Sequence, residues 1–406
     1  MNNVSNHLKL SRRQLMFHSG AIGLASFCHV SLAAAPDDRK FVLVILRGAM
    51  DGLAVVAPYG DPAYRAARGR LAFDPPGSGD AALLPMLDGF GLNPRLPFLH
   101  ELWRKRELAF MHACATPYRD RSHFDGQDVL ESGANRVFAA NDGWLNRALS
   151  ARPHQVAERG GIAIAATVPL VLRGAAPSSS WAPSNAPSAA QDTLARLMDL
   201  YAGDDLLAPA LARAIHNQQT VAESPMAMAA GERANNGVQV RMAEAAARLL
   251  VAPQGPAAAV LSFDGWDTHA NQGTMQGAMA LRLSALDNSL RALQAGLGAH
   301  WAKAVVVVAT EFGRTVAENG TGGTDHGTGS LALVMGGAVR GARMLGDWPT
   351  LARSALYEGR DLAPVNDLRG LLLAVLSEHW GIETERLRRE VFPGMEKKLS
   401  LPTVLV

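Results

Sequence analysis

The sequence predicts an α/β fold: a mostly parallel central sheet sandwiched by helices, with a helical side layer or cap. Short, unbroken apolar runs such as Val305-Val306-Val307-Val308 and Phe41-Val42-Leu43-Val44-Ile45-Leu46 read as strands buried on both faces. Stretches with helical spacing of leucines lie between such runs. Most of the strong runs also stop abruptly at acids, histidines and glycines, and the carboxyl edge of such a sheet is where ligands bind.

With 406 residues, 48% hydrophobic and 19% charged, the chain can bury a large core. A formal net charge of +2 gives no case for a nucleic-acid partner. Ser11-Arg12-Arg13-Gln14-Leu15-Met16 precedes the mildly apolar run Gly20–Phe27 and the small residues Ala33-Ala34-Ala35. This order predicts a twin-arginine export signal over residues 1–35, cut after Ala33 or Ala35. The expected mature protein is periplasmic or extracellular and meets the Tat translocon only during export. The leader run is too weakly apolar for a stable membrane span, and no other segment reads as one. Residues 36–406 then form a single α/β domain with a helical insertion at about 190–252. Of the two cysteines, Cys28 falls in the leader, so no internal disulfide is possible; Cys114 reads as a small buried hydrophobe.

The first central strand, Lys40–Leu46, runs into Arg47-Gly48-Ala49-Met50-Asp51-Gly52. Asp51 is either a metal- or phosphate-site acid or a turn and N-cap residue. Residues 58–91 look irregular, and a helix over 96–106 leads to the second strand, 107–115. Next comes Arg119-Asp120-Arg121-Ser122-His123-Phe124-Asp125, a loop entering a helix. Ser122 is placed where orphan N–H groups favour an anion or a more acidic hydroxyl; equally it could be a plain N-cap. His123 reads as a ligand or a core hydrogen-bonding group, and Arg119 and Arg121 as anion holders or solvated charges.

A further helix begins at Gly143, and residues 162–165 and 170–174 read as one or two strands. The Ser-, Ala- and Pro-rich stretch 177–187 reads as an exposed loop, and 190–252 as mostly helical. The strand 257–263 ends in Asp264-Gly265-Trp266-Asp267-Thr268-His269, where two acids and a histidine have metal-ligand character. A helix over 275–297 precedes the valine strand, which ends in Glu311-Phe312-Gly313-Arg314. A glycine-studded loop with Asp325-His326 leads to a strand at 330–337; 341–366 is loop-like and a helix at 368–378 closes the domain.

Asp51, Ser122, His123, Asp264, Asp267, His269, Glu311, Arg314, Asp325 and His326 are thus all expected near one sheet edge. Carboxylates mixed with histidines suit a divalent cation (Zn²⁺, Mn²⁺, Mg²⁺ or Ca²⁺). Such a site would act on a small anionic phosphate or sulfate ester, with Ser122 as nucleophile and Arg314 or Arg121 neutralising the transferred group.

The order of these motifs, with the twin-arginine start, resembles the domain-of-unknown-function 1501 (DUF1501) family of exported bacterial proteins. The resemblance spans about residues 40–395. That family is similar to the alkaline phosphatase and sulfatase superfamily, which implies metals at the strand ends. On this analogy Asp51 matches the first-strand metal acid, Ser122 falls near the nucleophile, Asp267 and His269 form one ligand set, and His326 is the late histidine. Where the superfamily has Asp-His, this chain has Glu311-Phe312, so one histidine ligand is missing or is supplied differently, with His123 as the candidate. Two functions follow as expectations: a metal-dependent phosphate or sulfate ester hydrolase, or a non-catalytic exported binding or assembly protein on the same scaffold, with a protein partner. A nucleotide-cofactor enzyme is not favoured, because no Gly-x-Gly-x-x-Gly follows the first strand.

Overall fold

A computed structural model describes residues 38–79, 82–153, 159–183, 191–205, 207–223, 237–395 and 402–406. The expected export signal lies outside these residues. In chain order the strands are β1 (Lys40–Leu46), β2 (Val56–Ala57), β3 (Leu84–Pro85), β4 (Gly91–Leu92), β5 (Leu108–Ala115), β6 (Gly161–Ile164), β7 (Ser178–Trp181), β8 (Ala258–Phe263), β9 (Ala304–Ala309), β10 (Ser330–Met335), β11 (Arg343–Leu345) and β12 (Asn366–Asp367). The main sheet runs β11-β5-β10-β9-β1-β8-β6-β7, with β12 also on β5; β2, β4 and β3 form a small separate sheet.

Every pairing in the main sheet is parallel except those of β10, which runs against both β5 and β9. This reversal brings the start of β10 to the edge where the other strands end. The alternation of β side chains divides the core in two. Phe41, Leu43 and Ile45 of β1 face one apolar layer, and Val42, Val44 and Leu46 face the other. Helix Leu368–Trp380 and helix Trp144–Ser150 cover the first face; helices Pro97–Arg104, Val238–Val251 and Ala278–Leu297 cover the second. No helix among the described residues is long and apolar enough to cross a membrane.

Four local readings change. Residues Leu170–Leu172 form a 3-10 turn and not a strand, between Pro169 and Gly174. The Ser-rich stretch contains β7, whose polar side chains are tolerated because it is the half-buried edge strand. The loop-like segment after 341 contributes β11, which occupies the free side of β5. Within the helical block, Gln191–Tyr201 and Leu207–Glu223 are largely exposed, but Val238–Val251 is part of the core. Its Ala243, Ala246, Ala247 and Leu250 are buried in the same cluster as Leu283, Leu286 and Leu290.

Candidate metal centre

Four carboxyl-edge segments meet: the loop after β5, the loop after β8, the end of β9 and the loop entering β10. His123, Asp267 and His326 each bring one ligand atom, and these atoms lie within 4.8 Å of one another. His269 joins them, with Nε2 3.0 Å from Asp267 Oδ1 and 3.0 Å from His326 Nε2. His326 Nε2 is 3.3 Å from Asp267 Oδ1, and His123 Nε2 is 3.4 Å from Asp267 Oδ2.

The other nitrogen of each ring is engaged by an oxygen that can only accept. His123 Nδ1 meets Glu311 Oε1 at 2.8 Å, His326 Nδ1 meets the Arg121 carbonyl at 3.0 Å, and His269 Nδ1 meets Asp325 Oδ1 at 3.2 Å. In the neutral tautomer that donates from Nδ1, Nε2 carries the lone pair, and all three Nε2 atoms face Asp267. Two such lone pairs 3.0 Å apart, those of His269 and His326, repel unless a proton or a cation lies between them. His123 Nε2 is buried and forms no hydrogen bond among the described residues. An orphaned imidazole nitrogen, two facing lone pairs and a carboxylate fit a divalent cation, with His123, His269, His326 and Asp267 as ligands.

The surrounding side chains fix these ligands. Glu311 is fully buried and accepts from Gly48 N (2.8 Å), Gln127 Nε2 (3.3 Å) and Thr310 Oγ1 (2.9 Å) as well as from His123. Phe312 stacks on the His123 ring at 5.0 Å. Glu311 and Phe312 therefore hold His123 in place. Gly48 has φ 117°, and a Cβ there would lie 2.5 Å from Asp267 N. Only glycine lets the β1 and β8 loops approach this closely. Arg314 is buried, donates to Asp267 Oδ1 at 2.5 Å and to the Thr324 carbonyl, and pairs through its backbone with His326.

The charges respond to this packing. The hydrogen bond to Glu311 raises the His123 pKa above its ordinary value. Burial pushes Glu311 up, but its hydrogen bond from His123 and its backbone donors hold it below the usual range. Burial likewise pushes Asp267 up, and Arg314 overcomes it to leave the carboxyl low. Burial, followed by the charge of His123, lowers His326. Asp325 is lowered chiefly by the Asn319 side chain, which donates to Oδ1 at 3.0 Å.

Several candidates stand apart from the ligand group. Asp51 is 1% exposed and pairs with Arg68 at 2.5 Å; it also accepts from Gln272 Nε2 at 2.6 Å and caps helix Gly52–Val55 through Leu53 N. Its oxygens are engaged as a buried ion-pair partner and N-cap, and it lies outside the group of His123, Asp267 and His326. Asp264 is exposed and contributes no atom to the group. Glu311 and Asp325 act behind the ligands, on His123 and His269. The Arg121 guanidinium turns to Asp361 and Glu358, at 2.9 and 2.5 Å, so only its carbonyl reaches the site. Arg314 is turned onto Asp267 and Thr324. Ser122 is half-buried at the N-cap of helix His123–Ser132, and its hydroxyl makes no capping bond.

Other contributors gave no sequence signal. Asp361 is fully buried and clamps Arg121 and Arg360, whose Nη2 donates to the His326 carbonyl at 2.6 Å. Gln272 and Thr324 link Asp51 to Arg314. Each is a lone polar residue in a loop, with no spacing to mark it.

No curated protein matches the chain significantly. Among solved structures it is similar to Ps i-CgsB in complex with k-i-k-neocarrahexaose (10% identity, 85% of this chain and 72% of that one, TM-score 0.38). It is similar to the C-terminal periplasmic domain of EcEptC from Escherichia coli in complex with Zn (12% identity, 90% and 89%, TM-score 0.36). It is also similar to the phosphonate monoester hydrolase of Agrobacterium radiobacter (10% identity, 76% and 70%, TM-score 0.33). These likenesses are remote in both sequence and superposition. A family model, by contrast, matches residues 103–389, and the chain belongs to that family, described as protein of unknown function (DUF1501).

Proposed function

We propose that this protein is an exported, metal-dependent hydrolase of phosphate or sulfate esters. The observation that carries the reading is the convergence of three Nδ1-anchored imidazoles on Asp267, with the buried His123 Nε2 making no hydrogen bond among the described residues. His123, Asp267, His269 and His326 would hold the cation, and so imidazole-rich a set favours Zn²⁺ or Mn²⁺ over Mg²⁺ or Ca²⁺. When bound, a divalent cation supplies positive charge that polarises the ester group. Glu311 and Asp325 fix the rings, and Arg314 keeps Asp267 ionised and oriented. Ser122, next to His123 at a helix start, is the nucleophile: its Oγ bonds to phosphorus or sulfur as the bridging P–O or S–O bond breaks, its proton passes to the departing alcohol oxygen, and water then hydrolyses the seryl ester.

Metal analysis of gently purified protein, followed by turnover of aryl phosphates and aryl sulfates, tests this. The expected result is bound metal and hydrolysis that Ser122→Ala abolishes. Protein that holds no metal, and is inert with each ion restored, overturns it. One observation favours the second reading, a non-catalytic metal-binding or assembly protein. Arg119, Arg121 and Arg314 are all engaged by protein groups, so none is held ready for an anionic substrate. Metal bound without any ester turnover would decide for that reading.

A further inference from the structure

We propose a second site, for a small oxyanion, at the opposite edge of the main sheet from the histidine cluster. Residues before or at the start of β6, β7 and β8 (Gly160, Ser178 and Pro256) line a cleft of about 170 Å³ there. The six residues of β8 span about 20 Å, so the two sites are separated by the length of the sheet.

The lining has a one-sided chemistry. Arg159, Arg213 and His216 line the cleft, together with Ser178, Asn217 and Thr220, and among the described residues no lining residue is an Asp or Glu. Neither Arg159 nor Arg213 forms an ion pair among the described residues. That contrasts with the histidine edge, where Arg121 and Arg314 each meet a carboxylate within 3 Å. Two guanidiniums line this cleft, and a bound anion would gain charge-assisted hydrogen bonds from them.

The surrounding structure is fixed. Asn217 is 9% exposed and its Nδ2 donates to Ser179 Oγ at 3.1 Å, tying helix Leu207–Glu223 to the edge strand β7. Trp181 Nε1 donates to Gln218 Oε1 at 2.9 Å, a second tie between the same elements. The neighbouring end of helix Val238–Val251 presents no competing unsatisfied carbonyl at Arg248 or Ala252, because Ala252 N and Gly255 N occupy them at 3.2 and 2.7 Å. A cleft of about 170 Å³ has room for a phosphate- or sulfate-sized group.

The test is calorimetric titration of the full chain with inorganic phosphate and, separately, sulfate, in the presence of a chelator so that the histidine cluster holds no metal. Saturable binding that weakens with added salt is expected. Arg213→Gln and Arg159→Gln should each weaken it about tenfold or more, the scale of a lost charge-assisted hydrogen bond. Arg213→Lys, which keeps the charge on an exposed helix, should retain most of the affinity. Matched thermal melts establish that the variants are folded. Absence of saturable binding in the chelated wild type overturns the proposal, as does unchanged binding in the Arg159→Gln/Arg213→Gln double variant. Binding that appears only when metal is restored assigns the anion to the histidine cluster and overturns it too.

Discussion

Asp51 and Asp267 begin alike. Each follows a central parallel strand, β1 or β8, and each meets an arginine at 2.5 Å. Their surroundings then diverge. Asp51 is sealed in by Arg68, Gln272 and Leu53 N, with a side chain 2% exposed. The Asp267 side chain is 39% exposed, and three imidazole nitrogens face it. A carboxylate at a strand end becomes a ligand only if other loops deliver donors beside it. Position alone does not distinguish a site acid from a structural one.

The largest way to break this comparison is Asp51→Ala. It leaves Arg68 charged and buried, so stability should fall by about 3–5 kcal/mol in urea unfolding. Metal bound per folded molecule should not change. Loss of metal with stability intact would return Asp51 to the site.

Buried titratable groups without an oppositely charged partner in contact give the next effect. His112 is fully buried, donates to the Val56 carbonyl at 2.8 Å, and has its pKa lowered by burial to about 4. Below its ordinary 6.5 the unfolded chain takes up a proton that the fold refuses, so this contribution is complete above pH 6.5 and is lost as pH falls towards 4. Asp287, met by Phe98 N and Leu99 N at 3.0 Å, is raised by burial to about 6. Its contribution has the opposite sign, present below its ordinary 3.8 and lost as pH rises through 6. The stability advantage of wild type over His112→Gln should therefore shrink by about 3 kcal/mol from pH 7 to 4, and that over Asp287→Asn should grow by a similar amount. Parallel denaturation curves at the two pH values check both signs.

Smaller again is Glu311→Gln, which keeps the shape but weakens the anchor of His123. Metal affinity should drop about 10- to 100-fold in competition with a chromogenic chelator. An unchanged affinity would mean that His123 is not a ligand. The least effect belongs to the link between the two acids. Thr324 Oγ1 donates to Gln272 Oε1 at 2.8 Å and accepts from Arg314 Nε at 3.2 Å. Thr324→Val should cost about 1 kcal/mol of stability and shift metal affinity by less than about tenfold.

Much of this frame is legible in the chain. The valine run, the β1 run and the strands ending at Ala115 and Phe263 declare themselves because burial on both faces demands unbroken apolar sequence. His123, Asp267, His269 and His326 are marked by chemistry that a turn does not require. What stays hidden depends on direction and on distant partners. Nothing in Ser330-Leu331-Ala332-Leu333-Val334-Met335 states that this strand runs backwards, yet that reversal carries His326 to the site. The true place of Asp51 depends on Arg68, 17 residues on, and on Gln272, 221 residues away. Nothing in Glu311-Phe312 itself shows that Glu311 bonds to His123 and that Phe312 stacks on it.

Strands β9 and β10 are hydrogen-bonded neighbours, with Val308 opposite Leu333. The segment between them, 310–329, leaves and re-enters the sheet at the same edge. It carries Glu311, Phe312, Arg314, Thr324, Asp325 and His326, most of what positions the centre. Such a closed loop is a cassette: a different 310–329 segment could be transplanted onto the same two strands without rethreading the rest of the fold.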